Sequence, residues 1–121
     1  MRGCFDSVII IDHLRGIGEA DVAIDSYDEH FISIVTWIEV MAGAGSPAEE
    51  QDARAALGKF AVIDLGAPVA SITSSLRRET RLKLPDAIIM ATARHLGCPL
   101  VTRNTKDFPT DSPDVRVPYS I

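Results

Sequence analysis

The sequence holds only two cysteines, Cys4 and Cys98, among its 121 residues. Two thiols so far apart form neither a metal-type pair nor the disulfide framework of a small secreted domain, so both read as reduced core residues. Histidine is scarce too. His13, His30 and His95 show no metal-ligand spacing and read as ordinary surface or core-edge side chains. No glycine-rich phosphate loop of the Walker or Rossmann kind is present, which excludes those nucleotide cradles. Long apolar runs are missing as well: Val8 to Ile11, near the start, is bracketed by Asp6 and Asp12. That breaks any signal-peptide or membrane-spanning pattern, so the expectation is a cytoplasmic protein without a membrane partner.

Positive charge is also in deficit, with 12 Lys and Arg against 17 Asp and Glu, a net charge of -5. A nucleic-acid binder ordinarily carries a basic footprint. The deficit is uneven, however. Residues 1–64 hold 12 acids against Arg2, Arg15, Arg54 and Lys59, whereas residues 65–121 hold 5 acids against 8 bases. Arg77, Arg78, Arg81 and Lys83 lead that second group, followed by Arg94, Arg103 and Lys106. They form either a cationic face on an acidic protein or the solvated flank of a helix.

What is present is a core-forming composition, 46% apolar and 24% charged, in a chain long enough for one domain and too short for two ordinary ones. A single domain over residues 1–121 is therefore expected. Short β-branched runs alternate with longer Ala/Leu patterns, which predicts strands alternating with helices around a mainly parallel sheet of four or five strands. The strands are expected at Cys4–Ile11, Phe31–Val35, Ala61–Leu65, Pro99–Thr102 and Val115–Pro118. Helices are expected at Glu19–Tyr27, Trp37–Ala44, Ala48–Gly58, Pro68–Leu82 and Asp86–Leu96. Thr36 to Glu39 and Ser46 to Glu49 both fit a capping box, and Leu84-Pro85 should end the helix before it. Ala87 to Ala93 is apolar nearly all round, so that helix should be deeply buried. Val8 to Ile11 favours a strand on propensity, although Val8, Ile11 and Leu14 ahead of Arg15-Gly16 fit a helix with a glycine stop equally well.

Four carboxylates stand in or beside apolar sequence, where an unpaired acid costs several kcal/mol of desolvation: Asp6, Glu39, Asp86 and Asp107. In an open parallel sheet Asp6 and Asp107 lie near strand carboxyl ends, and Glu39 and Asp86 near helix starts, which is where such folds place ligands. Each has a plainer role open to it. Asp6 or Asp86 serves as a helix N-cap, Glu39 as the capping-box partner of Thr36, or Asp107 as part of a turn with Asn104-Thr105. Together, four acids aimed at one end of a sheet call for cations, and oxygen-only ligands suit Mg2+ or Mn2+. Such ions activate water and stabilise an in-line displacement at phosphorus without a Ser, His or Cys nucleophile. Ser7, Thr102 and Asn104 supply neutral groups beside the acids.

These residues, in this order, resemble the PIN-domain ribonucleases, and among them the VapC-type toxins of bacterial toxin-antitoxin pairs. The resemblance runs through Cys4–Gly16, Ile32–Ala44, Leu84–Ala93 and Leu100–Phe108 and spans essentially the whole chain. It implies a three-layer α/β/α fold and a Mg2+- or Mn2+-dependent endoribonuclease with an acidic site of Asp6, Glu39, Asp86 and Asp107. It further implies that Ser7 opens a helix, that the protein forms a homodimer, and that a cognate antitoxin covers the site. Principal metal binding then falls to Asp6, Glu39 and Asp86. Asp107, with Asn104 and Thr102, completes a second or transient site, while Arg77, Arg78, Arg81, Lys83 and Arg103 track the RNA backbone. Two positions depart from the common pattern: Val8 stands where relatives often have Asn, and Asn104, 18 residues beyond Asp86, stands where many carry the fourth acid. Asp107, at 21 residues, matches another part of the family. The rival is a non-catalytic PIN-like interaction module whose acids cap helices. A phosphatase or a phosphoacceptor domain fits less well, because Ser7-Val8 follows Asp6 and leaves no acidic pair at the end of the first strand.

Overall fold

The computed structural model describes all 121 residues. In chain order the elements are β1 (Arg2–Phe5), α1 (Ser7–Leu14), α2 (Gly18–Asp25), β2 (Glu29–Ser33), α3 (Ile34–Ala42) and α4 (Pro47–Leu57). They continue with β3 (Ala61–Ile63), α5 (Ala67–Glu79), α6 (Leu84–Leu96), β4 (Leu100–Val101) and β5 (Val115–Arg116). The strands form one sheet in the order β3-β2-β1-β4-β5, and every neighbouring pair is parallel. The expected parallel α/β/α architecture is the one observed.

Alternation along the central strands produces the layers. Cys4 and Leu100 point into a core shared with α5 and α6, whereas Phe5 and Val101, one residue on, point into a second core with α1 and α4. Successive side chains of a strand face opposite sides of the sheet, so two apolar faces recruit helices on both. The apolar run of α6 is accordingly enclosed, with Ala87 through Ala93 all buried. Gly97 ends that helix in the left-handed region at φ 67°, a conformation glycine adopts without strain. No helix is long and apolar enough to cross a membrane.

Several boundaries differ from the sequence reading. Val8 to Ile11 lies in α1 and not in a strand, because β1 runs out of partners: its register with β4 ends at Phe5↔Val101 and with β2 at Cys4↔Phe31. Asp6, with extended backbone, accepts the Ser7 N–H, and the helix turns Ile9 and Ile10 into the core. Ile34 and Val35, expected in a strand, open α3. Ser33 caps that helix by accepting the Val35 N–H at 3.0 Å, so the capping box expected at Thr36–Glu39 is absent and Thr36 lies inside the helix. The preceding helix α5 stops at Glu79, before Leu84-Pro85, and that pair opens α6, with Pro85 and Asp86 both in its first turn. Proline is tolerated there because the N–H it lacks would have no helical partner.

The second capping box forms in part, its return bond falling on Gly45 and not on the N–H of the Ser46 cap. Ser46 Oγ accepts the Glu49 N–H at 3.1 Å, and Glu49 Oε1 accepts the Gly45 N–H at 2.9 Å. Ser46→Ala should lower stability by about 1 kcal/mol, read as a small fall in the chemical-denaturation midpoint with an unchanged m-value.

The strand order reverses beside β1. From β1 the chain builds β2 and β3 on one side, then crosses to β4 and β5 on the other. The crevice outside the carboxyl ends of β1 and β4 is the switch point at which open α/β sheets bind ligands.

Candidate active site

Asp6 leaves β1 at that switch point and Thr102 leaves β4 beside it. The Thr102 hydroxyl donates to Asp6 Oδ2 at 2.7 Å, while Asp6 Oδ1 accepts the Ser7 N–H at 2.8 Å. Thr102 Oγ1 also accepts the Asn104 N–H at 2.9 Å. Asp6 is therefore both a helix cap and a carboxylate fixed at the sheet edge. Only 4% of it is exposed, and burial raises its pKa to about 6. The Thr102 and Ser7 hydrogen bonds oppose that rise, and the nearby charges of Asp86 and Glu39 add to it.

Glu39 comes to the same place from α3 and Asp86 from the first turn of α6. Both carboxyls are held above their usual range, chiefly by burial. Asp86 adds to the rise at Glu39, where the Ser7 hydroxyl opposes it; Asp107 adds to the rise at Asp86, where Lys83 opposes it. Glu39 Oε1 is buried without any hydrogen-bond partner, a costly state for a carboxylate oxygen. Neither residue fills the plainer role open to it: Asp86 lies beyond the Lys83 N-cap, and Ser33 caps α3.

Asp107 does form the expected turn. Asn104 Nδ2 donates to Asp107 Oδ2 at 2.9 Å, and the Asp107 N–H donates to Asn104 Oδ1 at 3.2 Å. It is exposed and is linked to the others through the charge of Asp86. Asp6, Glu39 and Asp86 thus make a mutually repelling group, with Asp107 at its margin.

No three Asp, Glu, His or Cys side chains are drawn together closely enough to enclose a metal ion. The donor chemistry fits a hard divalent cation all the same: every donor is oxygen, one buried Oε1 is orphaned, and three carboxyls are held above their usual range by burial first and by neighbouring negative charge second. A cation would remove that repulsion.

The raised pKa of Asp6 has a stability consequence with a definite sign. Its folded pKa of about 6 lies above the ordinary 3.8, so the folded state holds the proton more tightly. Stability should fall as pH rises from about 4 to about 6, and the loss is complete above that window. With 1.36 kcal/mol per unit, the Asp6 contribution is about 3 kcal/mol. Thermal melts across this range should show the slope in metal-free protein and a shallower one in Asp6→Asn, where only Glu39 and Asp86 still contribute in the same direction.

A family model for the PIN domain matches residues 4–110. The chain belongs to the PIN-domain family. A toxin-antitoxin complex from Klebsiella pneumoniae contains a chain 44% identical to it, with a TM-score of 0.91 over 98% of this chain and 99% of that one. FitAcB from Neisseria gonorrhoeae is similar in fold, at 20% identity and a TM-score of 0.81 over 98% of this chain and 99% of that one. VapBC2 from Rickettsia felis, bound to a promoter DNA fragment, is similar at 18% identity and a TM-score of 0.77, over 95% and 96%. No curated protein matches the chain. Membership places this PIN domain in a family of toxin nucleases.

Among the cations expected to meet RNA, two are held firmly inside this PIN domain, and Arg78 makes a longer bond, from Nη2 to Ser75 Oγ at 3.3 Å. Arg103 donates to Asp12 through Nε at 2.5 Å and Nη2 at 2.9 Å, so its guanidinium is not free to follow a phosphate backbone. Arg77 donates through Nη1 to the Leu82 carbonyl at 2.7 Å and holds the α5–α6 corner. Arg78, Arg81 and Lys83 remain exposed. Asp12 is the acid that the sequence reading passed over. It is fully buried, and Tyr119 also donates its hydroxyl to Oδ2 at 2.7 Å. The signal was present, since Asp12 directly follows Ile9-Ile10-Ile11 and has as apolar a context as Asp6.

Proposed function

We propose that this PIN domain is the toxin of a toxin-antitoxin pair and acts as a Mg2+- or Mn2+-dependent endoribonuclease, with residues 1–121 forming one domain. The observation that carries this is the meeting of Asp6, Glu39 and Asp86 at the sheet's switch point, with Glu39 Oε1 buried and unpartnered. Those three would hold the principal ion, and Asp107 would complete the site from its Asn104 turn. A bound divalent ion supplies an activated water at neutral pH and neutralises charge on the phosphodiester.

The chain's own groups do the positioning. The Thr102 hydroxyl and Ser7 N–H orient the two oxygens of Asp6, and the Ser7 hydroxyl faces Glu39. Asn104 aims Asp107. Arg78, Arg81 and Lys83, at the adjoining α5–α6 corner, follow the RNA backbone, so binding weakens steeply as salt rises. Products are expected to carry 5'-phosphate and 3'-hydroxyl ends. The 44% identical chain comes from a toxin-antitoxin complex, which supports a cognate antitoxin here, and a homodimer in the cytoplasm completes the reading.

Purified protein incubated with single-stranded RNA should cleave it with Mg2+ or Mn2+ and stop when EDTA is added. Cleavage undiminished by EDTA would overturn the metal requirement. The non-catalytic module draws on a different observation, that Asp6 and Asp107 already have partners within the chain. It requires no RNA cleavage with either ion.

A further inference from the structure

Beside Asp107 the end of α5, the face of α6 and the Lys106–Pro109 segment line an open pocket of about 380 Å³. This lies within the range of small-ligand sites. Its inner side is apolar, formed by Leu76, Leu82, Met90 and Phe108, and its rim is cationic, with Arg81 and Lys106. Neither of these two makes an ion pair or a side-chain hydrogen bond; the third rim cation, Arg94, meets Asp114 at 3.4 Å. Two unpaired cations at the mouth of an apolar pocket, in a protein of net charge -5, favour an occupant with an anionic group joined to a flat apolar one.

The pocket is rigidly built. The Thr80 hydroxyl donates to the Leu76 carbonyl at 2.7 Å and accepts the Leu82 N–H at 3.2 Å, while Arg77 holds the Leu82 carbonyl. The opposite wall begins at Asp107, fixed by its two bonds to Asn104. Asp107 thus belongs at once to this pocket and to the acidic group, through Asp86.

We propose that this pocket seats a nucleotide of the RNA next to the cleaved phosphate, its base against Leu82 and Phe108 and its phosphate between Arg81 and Lys106. The inference rests on the endoribonuclease reading and adds to it a defined subsite for an adjacent base. A base buried against apolar side chains contributes whatever its identity, because every base has a π-face. Phosphate contacts contribute in proportion to the counterions they release.

The test uses the full chain and a short fluorescent single-stranded RNA, intact or with one abasic position, titrated at several salt concentrations without added divalent ion. The intact RNA should bind about tenfold more tightly than the RNA whose abasic site falls in the pocket. The Arg81→Ala/Lys106→Ala protein should lose most of that preference, and its slope of log affinity against log salt should shrink by about 0.7 for the one single-strand phosphate held between them. In cleavage assays the same double variant should raise KM about tenfold and leave kcat within about twofold, since neither residue touches the acidic group. Arg81 and Lys106 are exposed, so the variant should melt with the parent.

An unchanged abasic preference and salt slope in the double variant would overturn the subsite, as would an unchanged KM. If RNA binding is unaffected while retention of a purified antitoxin is lost, the pocket belongs to that protein and the proposal fails. Absence of cleavage by the parent protein would instead defeat the endoribonuclease reading, which separates the two failures.

Discussion

Asp86→Asn should melt no lower than the parent at neutral pH and lose RNA cleavage by on the order of 10²–10³-fold or more. Removing one preorganised charge from a phosphoryl or acyl transition state costs about that much. The two halves of the expectation have one cause. Asp86 is half-buried among carboxylates, and burial with the charge of Asp107 holds its carboxyl above the usual range. Its ionised form therefore weighs against the fold, and a neutral isostere of the same shape relieves that burden. The same ionised form is what a cation needs. Paired melts and cleavage time courses of parent and Asp86→Asn decide the matter. Cleavage at the parental rate would remove Asp86 from the chemistry, and a collapse in melting temperature would show that its role is structural.

Arg103→Ala should destabilise the protein by about 3–5 kcal/mol, the penalty for stripping one partner from a buried ion pair. For a chain of this length that is a fall in Tm of roughly 10–20 °C. Asp12 is fully buried, so without Arg103 its charge is left with the Tyr119 hydroxyl alone. Asp12→Ala should be milder, because 27% of the Arg103 side chain is exposed and the guanidinium can turn to water. The pair also sets a pH dependence opposite in sign to that of Asp6. The Arg103 hydrogen bonds hold the Asp12 carboxyl below its usual range, so this stabilisation is complete above the ordinary carboxylate pKa and is lost as pH falls through the lowered one. Replacing both with apolar residues of similar size, Asp12→Leu with Arg103→Met, should recover most of the loss. Equal losses from Asp12→Ala and Arg103→Ala would contradict the asymmetry.

Arg103 also shows where reading residues in a line goes astray. It was grouped with Arg77, Arg78, Arg81 and Lys83 because all are cations in the basic half of the chain. Its partner lies 91 positions away in α1, and nothing local marks the pairing. The same limit operated at the start of the chain. Four β-branched residues favour a strand, yet a strand needs a neighbour, and β4 offers two residues and then turns away. At α3 the local signals competed: Thr36 and Glu39 have capping-box spacing, but the helix had already begun at Ser33, leaving both side-chain oxygens buried and unpartnered. That frustrated pair was invisible in the spacing and is the strongest mark of the site in the fold.

The amino-acid order alone determined the alternation of strands and helices, the burial of α6 and the four acids worth explaining, because periodicity and misplaced charge are properties of neighbouring residues. The tertiary structure decided that Asp6 feels the charges of Glu39 and Asp86, that Arg103 serves Asp12, and that Arg81 and Lys106 flank a pocket beside Asp107. Those facts depend on which strand ends lie side by side. The reversal of strand order at β1 sets this, through contacts between segments nearly a hundred residues apart, and such distant contacts leave no periodic trace in the chain.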